Sequence, residues 1–444
     1  MKKGESILKP FGRVRGGVRL PHNKTTAEAE SVVLTPPEKV IISMSQHIGA
    51  PCEPTVKVGD KVYVGTTIGD TDAFVSAPIH SSVSGEVSEI TTIRMPAGNE
   101  VKAVVITSDG EMTPDPEIKP PKVETVEDLL LAARASGLVG LGGAGFPAHV
   151  KLKPSADKPL DTLIINGAEC EPFITADYRE CMEHPEDILG GVYLVKKLLG
   201  IERVIICVED NKPKAIKTLY EIASDKQDAD DKVKLMKLKS RYPQGAEKVL
   251  IYSATKRKLP LGKLPSDIGC IVMNITSISF LYRYIQTGMP LVSKRITVDG
   301  NAVKEPKNLI VPIGTPISYV LNQVKAENPE KVLMGGPMMG IAIYDTSLPV
   351  LKQNNAILAF TGKQAESKPM TDCIRCGRCM RTCPMGLTPA GVEFAVKNPK
   401  LDELNALNVM YCMECGSCAF VCPAGRPLTA VMRLAKNEVR KAGK

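Results

Sequence analysis

The chain has 444 residues, 43% of them hydrophobic and 24% charged, with a formal net charge of +8. That length holds about three domains, or four if some are small. No stretch approaches the ~20 apolar residues of a membrane span. The longest apolar piece, residues 270–285, is broken by Asn274, two serines and Arg283, so the chain is not expected to cross a membrane itself. A nucleic-acid partner is excluded, because there is no Trp, aromatics are 4%, and basic stretches lack the interleaved aromatics on which bases stack.

Residues 1–112 read as β-rich. Val56 to Val62 alternates like a strand with a Gly-Asp turn, and Gly-punctuated apolar pieces follow from Gly65 to Val87. The string VKVGDKVYVGTTIGD…SAPIHSSVSGEVSEI resembles the barrel-sandwich fold of biotinyl and lipoyl carrier domains. Those carriers present a modifiable lysine on a tight hairpin. The matching turn, Asp70 to Phe74, has none, which implies a docking or structural module. Four prolines between Met112 and Pro121 then form a stiff linker.

Residues 122–290 alternate helix and strand, as α/β proteins do. VEDLLLAARASG predicts an amphipathic helix ending at Gly137. DTLIING, ERVIICVED, KVKLMKLKS and GCIVMNI predict buried strands, with helices PEDILGGVYLVKKLLG and NKPKAIKTLYEIAS between them. Residues 291–362 return to β-type residues, with an Asp299-Gly300 turn, a helix starting at Ile317 and a glycine-rich turn from Gly335 to Gly340. This stretch resembles the soluble-ligand-binding (SLBB) β-grasp module. Residues 366–444 carry the cysteine-rich end. The expected fold is therefore multidomain α/β plus β: barrel-sandwich, Rossmann-like, β-grasp and helical ferredoxin units.

Two segments carry chemistry. The first is GLVGLGGAGFP, with four glycines between Gly140 and Gly145. Such a turn lets backbone approach a ligand closely, and helix-side amides bind phosphate well. It is not the G-x-G-x-x-G fingerprint, and a plain turn is the bland alternative.

The second is a pair of cysteine runs, Cys373, Cys376, Cys379, Cys383 and Cys412, Cys415, Cys418, Cys422, each followed by proline. The spacing C-x2-C-x2-C-x3-C-P is that of bacterial two-cluster ferredoxins, which hold [4Fe–4S] cubanes. That resemblance implies a crossed ligand set: Cys373, Cys376, Cys379 and Cys422 on one cluster, and Cys412, Cys415, Cys418 and Cys383 on the other. Zinc would need only two C-x2-C pairs, and no histidine follows His184. Disulfides would need an oxidising compartment, and no signal peptide is recognised. The 28 residues between the runs have helix-like spacing, which favours a helical ferredoxin unit. Cubanes take electrons singly and hydride donors give pairs, so a flavin at the glycine turn would join the two. From Gly425 to the end, six basic residues face one acidic residue. This tail is either a solvated helix end or a contact for anionic lipid or an acidic partner.

GLVGLGGAGFPAHVK also resembles the flavin- and NADH-binding loop of the 51 kDa flavoprotein of respiratory complex I. Asn166 to Pro172 is similar to that family's N-x-D-E-x-E-P segment, and Val272 to Thr276 to its N-V-E-T segment. With the carrier-like front, the GGVRLPHNK start at Gly16 and two clusters, the whole chain resembles the RnfC family, a component of Rnf electron-transport complexes. The resemblance implies a peripheral protein on the cytoplasmic face of the bacterial cell membrane. It would work with membrane subunits and an iron–sulfur subunit that accepts ferredoxin electrons. The complex is a ferredoxin:NAD⁺ oxidoreductase that pumps sodium or protons, and this component would use FMN, NAD(H) and two [4Fe–4S] clusters.

By motif, Gly140, Gly142, Gly143, Ala144 and Gly145 would wrap FMN. Lys151, Asn166, Glu247, Asn274 and Thr276 would bind it, and Phe146, Glu169 and Glu171 would border the nicotinamide. The family's aspartate is Ala168 here, one glutamate is Ala246, another is Thr276, and an expected aromatic is Pro154. Two alternatives stand beside this reading: a cobalamin reductase of the propanediol-utilisation type, and an electron relay without nucleotide binding.

Overall fold

The computed structural model describes residues 7–12, 15–154, 158–225, 233–397 and 401–442. Its centre is a five-stranded parallel sheet. The strand order is Ile7–Leu8, Val233–Leu238, Arg203–Glu209, Thr162–Gly167, Cys270–Asn274. The strands are apolar on consecutive residues because helices cover both faces. Leu163 and Ile165 face the helices Pro185–Leu198 and Ile275–Thr287, while Ile164 faces Glu247–Thr255 on the other side. All three side chains are fully buried, so truncating one to alanine costs about 2–5 kcal/mol. The helix Val126–Ala135 starts at Thr125, whose hydroxyl accepts from Asp128 N–H in a capping box.

Two antiparallel sheets form the sandwich near the N-terminus. One orders Lys39–Ser43, Glu100–Ser108, Gly85–Arg94 and Lys61–Val62; the other orders Glu53–Pro54, Thr67–Asp70 and Ile79–His80. Val40, Ile42, Ile68, Ile79 and Ile106 fill the space between them. The strand expected over residues 56–62 shrinks to Lys61–Val62, because the Asp60 carboxylate accepts from Lys57 N–H and curls the chain into a turn. The hairpin that would carry a lysine in a carrier domain is docked. Arg134 donates to Asp70 at 2.7 Å and to the Thr71 carbonyl, and His149 packs edge-on against Phe74.

A six-stranded mixed sheet follows, ordered Ile341–Ile343, Lys331–Met334, Ala356–Phe360, Ser293–Asp299, Lys307–Pro312 and Ser31–Val33, with helix Ile317–Gln323 against it. The last strand shows where the segment ahead of the sandwich goes. Ser31–Val33 pairs with Asn308–Ile310, and Ile7–Leu8 pairs with Leu235–Met236. The strands Ile7–Leu8 and Ser31–Val33 therefore lace the other sheets together before the sandwich begins. Strand pairing is satisfied through space, and periodicity in a two- or three-residue strand carries no address for its partner.

The cysteine-rich end is helical: Arg378–Thr382, Pro389–Lys397, Leu401–Ala406, Ser417–Phe420 and Leu428–Ala442. Leu387, Val392, Leu404, Val409 and Met432 make its small core.

Candidate functional site

The strands Thr162–Gly167 and Cys270–Asn274 end side by side, pairing Asn166 with Asn274. In open α/β sheets ligands bind outside such carboxyl ends. The glycine turn closes over this point. Gly140 N–H donates to the Phe146 carbonyl, Leu141 N–H to Ser277 Oγ, and Lys294 Nζ to the Leu141 carbonyl, so both shoulders of the turn are pinned. The result is a cavity of about 490 Å³, within the ~300–1,000 Å³ range of small-molecule sites. Gly140, Gly142, Gly143, Ala144, Gly145, Phe146, Lys151, Asn166, Glu169, Glu171, Glu247 and Asn274 all line it.

Two glycines explain the loop. A Cβ on Gly142 would sit 2.5 Å from Asn274 Nδ2, so the turn packs directly on that side chain. A Cβ on Gly143 would meet nothing within 4 Å and would project into open space. The cradle is therefore one that a side chain would fill and that a flat ligand fits. Asn355 adds a buried Oδ1 without a protein partner on the same wall, which suits a ligand donor. The residues present fit a flavin mononucleotide.

The polar residues are more committed than the sequence indicated. Asn274 caps helix Ile275–Thr287 by accepting from Ser277 N–H, and its Nδ2 donates to Asp177 at 2.8 Å. Thr276 is corrected: it does not line the cavity, because it is buried and its hydroxyl donates to Asp177 Oδ1 at 2.7 Å. Asp177, missed in the sequence, holds both. No local motif announces it, since it lies in the first turn of helix Ala176–Glu183.

Asn166 donates to the Gly245 carbonyl, and Lys151 pairs with Glu247 at 3.7 Å. The Glu169 carboxylate accepts from the N–H groups of Asp177 and Tyr178 at that same helix start, a favourable place for an anion. Burial pushes its carboxyl up, while Lys24, 3.9 Å away, opposes this. Lys24 itself reaches the carbonyls of Glu169, Glu171 and Ile174 from the N-terminal lacing segment.

The Glu171 carboxylate receives the N–H groups of Met338 and Met339, tying the Gly335–Gly340 turn to the cavity. Burial pushes Glu171 up to about 7 against those two hydrogen bonds. Ala168, at the family's aspartate position, is fully buried in the core.

The eight C-terminal cysteines gather around two cavities. Cys373, Cys376 and Cys379 are joined by Cys422 in one, and Cys412, Cys415 and Cys418 by Cys383 in the other. Each run thus lends its last cysteine to its neighbour. Among the described residues, no group of three or more His, Cys, Asp or Glu converges as a site for a single metal ion; each cavity instead has four thiols around its walls. Such a donor set fits a cubane, which presents one iron to each thiolate. Burial pushes the Cys412 thiol up to about 11 and the Cys418 thiol up to about 12, so their thiolates depend on a bound cationic centre.

The basic tail braces this region. Arg433 and Lys436 pair with Glu414, and Arg426 pairs with Glu393. Lys436 also donates to the Cys412 carbonyl. Lys444 lies outside the described residues.

Cys415 belongs to both places. It lines the second thiol cavity and also the glycine-loop cavity, together with Met413. Tyr242, another wall of the glycine-loop cavity, donates its hydroxyl to the Cys415 carbonyl at 2.7 Å.

The fold and these two kinds of site define a flavin and iron–sulfur electron-transfer class, and comparison with known proteins agrees. Residues 133–283 match the family model of the Nuo51 FMN-binding domain, residues 12–111 the RnfC barrel sandwich hybrid domain, and residues 372–426 the 4Fe-4S dicluster domain. The C subunit of the Na(+)-translocating ferredoxin:NAD(+) oxidoreductase complex of Acetobacterium woodii is 42% identical, over 96% of this chain and 97% of that one. Its counterpart in the proton-translocating complex of Clostridium ljungdahlii is 40% identical over 98% and 95%. The counterpart in the ion-translocating oxidoreductase complex of Rhodobacter capsulatus is 37% identical over 96% and 83%. A solved NAD+-reducing [NiFe]-hydrogenase chain overlaps with a TM-score of 0.49 at 18% identity, over 71% of this chain and 62% of that one. The chain belongs to the RnfC family of ion-translocating ferredoxin:NAD⁺ oxidoreductase (Rnf) complexes.

Proposed function

We propose that this chain is the nucleotide-handling component of a ferredoxin:NAD⁺ oxidoreductase that translocates an ion. The observation that carries this is the wall shared at Cys415 by the glycine-loop cavity and the second thiol cavity. Electron transfer between a flavin and a cluster falls steeply with distance, and here the two sites adjoin. A flavin, when bound, accepts the electron pair of a hydride and releases electrons one at a time.

The protein's own part is binding and orientation. Gly140 to Gly145 give the backbone close access, and Gly143 leaves the space open. Asn166, Lys151 and Glu247 are placed along the wall for polar contacts. Phe146 and Glu171 border the volume left for a nicotinamide. Glu171, held near neutral pKa, keeps a proton within reach of the cavity at physiological pH. Cys373, Cys376, Cys379 and Cys422 would hold one [4Fe–4S] cluster, and Cys412, Cys415, Cys418 and Cys383 the other. The mixed sheet beside them, with its helix and Gly335–Gly340 turn, is assigned as the SLBB β-grasp unit. It contributes Met338 and Met339 amides that fix Glu171.

The proposed division of the chain is a sandwich up to residue 112, a Rossmann-like unit over 122–290, the β-grasp unit over 291–362 and the cluster unit from 366. The N-terminal lacing strands are exceptions to it. Among the described residues no helix is long and apolar enough to cross a membrane. The assigned place is peripheral, on the cytoplasmic face, held by membrane subunits and an iron–sulfur partner.

Anaerobic reconstitution with iron, sulfide and FMN tests this. About one flavin and about eight irons per chain are expected, with the flavin bleached by NADH. Bound clusters with no retained flavin would leave only an electron relay. Reduction of cob(II)alamin would favour the cobalamin reductase.

A further inference from the structure

The border between the glycine-loop cavity and the second thiol cavity carries an unmatched charge. Lys248 is the second residue of helix Glu247–Thr255 and lines the glycine-loop cavity together with Met413 and Cys415. A cation in the first turn of a helix opposes the macrodipole, so the helix itself does not favour a lysine there. Its place is held from outside. The ammonium lies over the Tyr411 ring, 5.2 Å from the centroid, and Tyr411 directly precedes Cys412. A ring face attracts a cation without neutralising it.

The basic neighbours of Lys248 are matched. Lys151 pairs with Glu247, while Lys436 and Arg433 pair with Glu414. Among the described residues the Lys248 ammonium has no ion-pair partner. It is partly buried, so solvent screens it only in part. Burial lowers its pKa and Lys436 adds to this, while Glu247 and the Cys412 thiol oppose it; ammonium and thiol therefore lie within each other's field. A free positive charge thus stands where the two cavities meet.

We infer that Lys248 raises the electron affinity of the second cluster and so favours passage of an electron from the glycine-loop cavity to that cluster. The inference rests on the proposed cluster held by Cys412, Cys415, Cys418 and Cys383. Each step oxidises the donor in the cavity by one electron and adds one negative charge to the cluster. No bond forms or breaks at the cluster, and no proton is taken up there. The potential of such a cluster follows the net charge around it, and an ammonium at its margin stabilises the reduced form. Lys248 acts through the cluster and is a positioning residue in that sense: what it positions is charge. The cavity of Cys373, Cys376, Cys379 and Cys422 shares no lining residue with the glycine-loop cavity, so its cluster is the internal control.

The test uses the full chain loaded anaerobically with iron, sulfide and FMN. Potentiometric titration followed by electron paramagnetic resonance gives a midpoint for each cluster, and Cys383→Ser and Cys422→Ser assign the two signals. Lys248→Met should shift the reduction equilibrium of the second cluster about 10-fold towards the oxidised form, or about 59 mV for one electron. The first cluster should keep its midpoint, and iron and flavin contents should hold. Lys248→Arg should restore the wild-type value. Tyr411→Leu, which keeps the charge but removes the ring beneath it, should shift the second midpoint in the same direction by less. An unmoved second midpoint in Lys248→Met overturns the inference, as does an equal shift in both clusters. Loss of FMN with both midpoints unchanged also overturns it and makes the ammonium a cofactor anchor. A wild type without a second cluster signal sinks the proposed cluster, and this inference with it; a normal signal that ignores Lys248 sinks the inference alone.

Discussion

The Tyr242 hydroxyl donates to the carbonyl of Cys415 across 2.7 Å, linking a wall of the glycine-loop cavity to the loop of the second cysteine run. Tyr242 is 2% exposed and lies beside Val18 of the N-terminal lacing segment, which bonds its backbone in both directions. The hydrogen bond thus sits inside a three-way junction of lacing segment, α/β unit and cluster unit. Its removal changes the position and electrostatics of Cys415, a proposed cluster ligand, without removing its thiol.

Tyr242→Phe should therefore retain flavin and iron while slowing electron passage between them. The stability cost should be about 1 kcal/mol, typical of one hydrogen bond. Rapid mixing with NADH separates the two steps: flavin bleaching should keep its rate, and cluster reduction should lag. The electron paramagnetic resonance signal of the second cluster should shift. Unchanged cluster kinetics and spectrum would show that the bond is only structural.

Gly143 faces open space, so a side chain there enters the cavity instead of clashing with the protein. Gly143→Leu should fold normally and lose FMN, with iron content unaffected. Flavin fluorescence after denaturation and an iron assay on the same sample give the answer. Full retention of flavin would place the cofactor elsewhere.

The crossed thiol sets make a specific forecast. Cys383 follows the first run in sequence but lines the cavity of Cys412, Cys415 and Cys418. Cys383→Ser should damage the cluster beside the flavin cavity and spare the other. Cys422→Ser should do the reverse. Both variants should hold roughly half the iron, so spectroscopy decides between them. Only Cys383→Ser should interrupt reduction of the remaining cluster by NADH. Equal effects from both would sink the crossed arrangement.

The legible parts of this molecule are those whose chemistry is local. The cysteine spacing announces its geometry because a cubane fixes ligands a few residues apart. The glycine turn is visible because close backbone approach requires missing side chains. The parallel strands show as continuous apolar runs, and the docked Asp70–Phe74 hairpin is foreshadowed by the absence of lysine.

What was hidden is non-local. Asp177 bonds Asn274 and Thr276 from about a hundred positions away, turning an expected phosphate contact into internal scaffolding. Glu171 looked like a nicotinamide neighbour, and its carboxylate is also the clasp of a turn in another unit. Ile7–Leu8 and Ser31–Val33 are too short to show a period, and only their partners make them strands.

Lys352 supplies the last forecast. It is 1% exposed, and its ammonium donates to the carbonyls of Pro78 in the sandwich and Gly137 at the end of helix Val126–Ala135. Burial pulls its pKa down to about 7, with Cys52 and Asp70 opposing weakly. An unfolded lysine stays charged to about 10.4. Between these values the unfolded chain binds more protons than the folded one, so this group adds stability as pH rises from about 7 towards 10. Below about 7 both states are protonated and its contribution is flat. Lys352→Met removes that dependence along with two hydrogen bonds. Thermal unfolding of the two proteins across pH 6–10 should therefore show the wild type gaining on the variant as pH increases. A difference that stays constant over the range would mean that Lys352 titrates as it does in water.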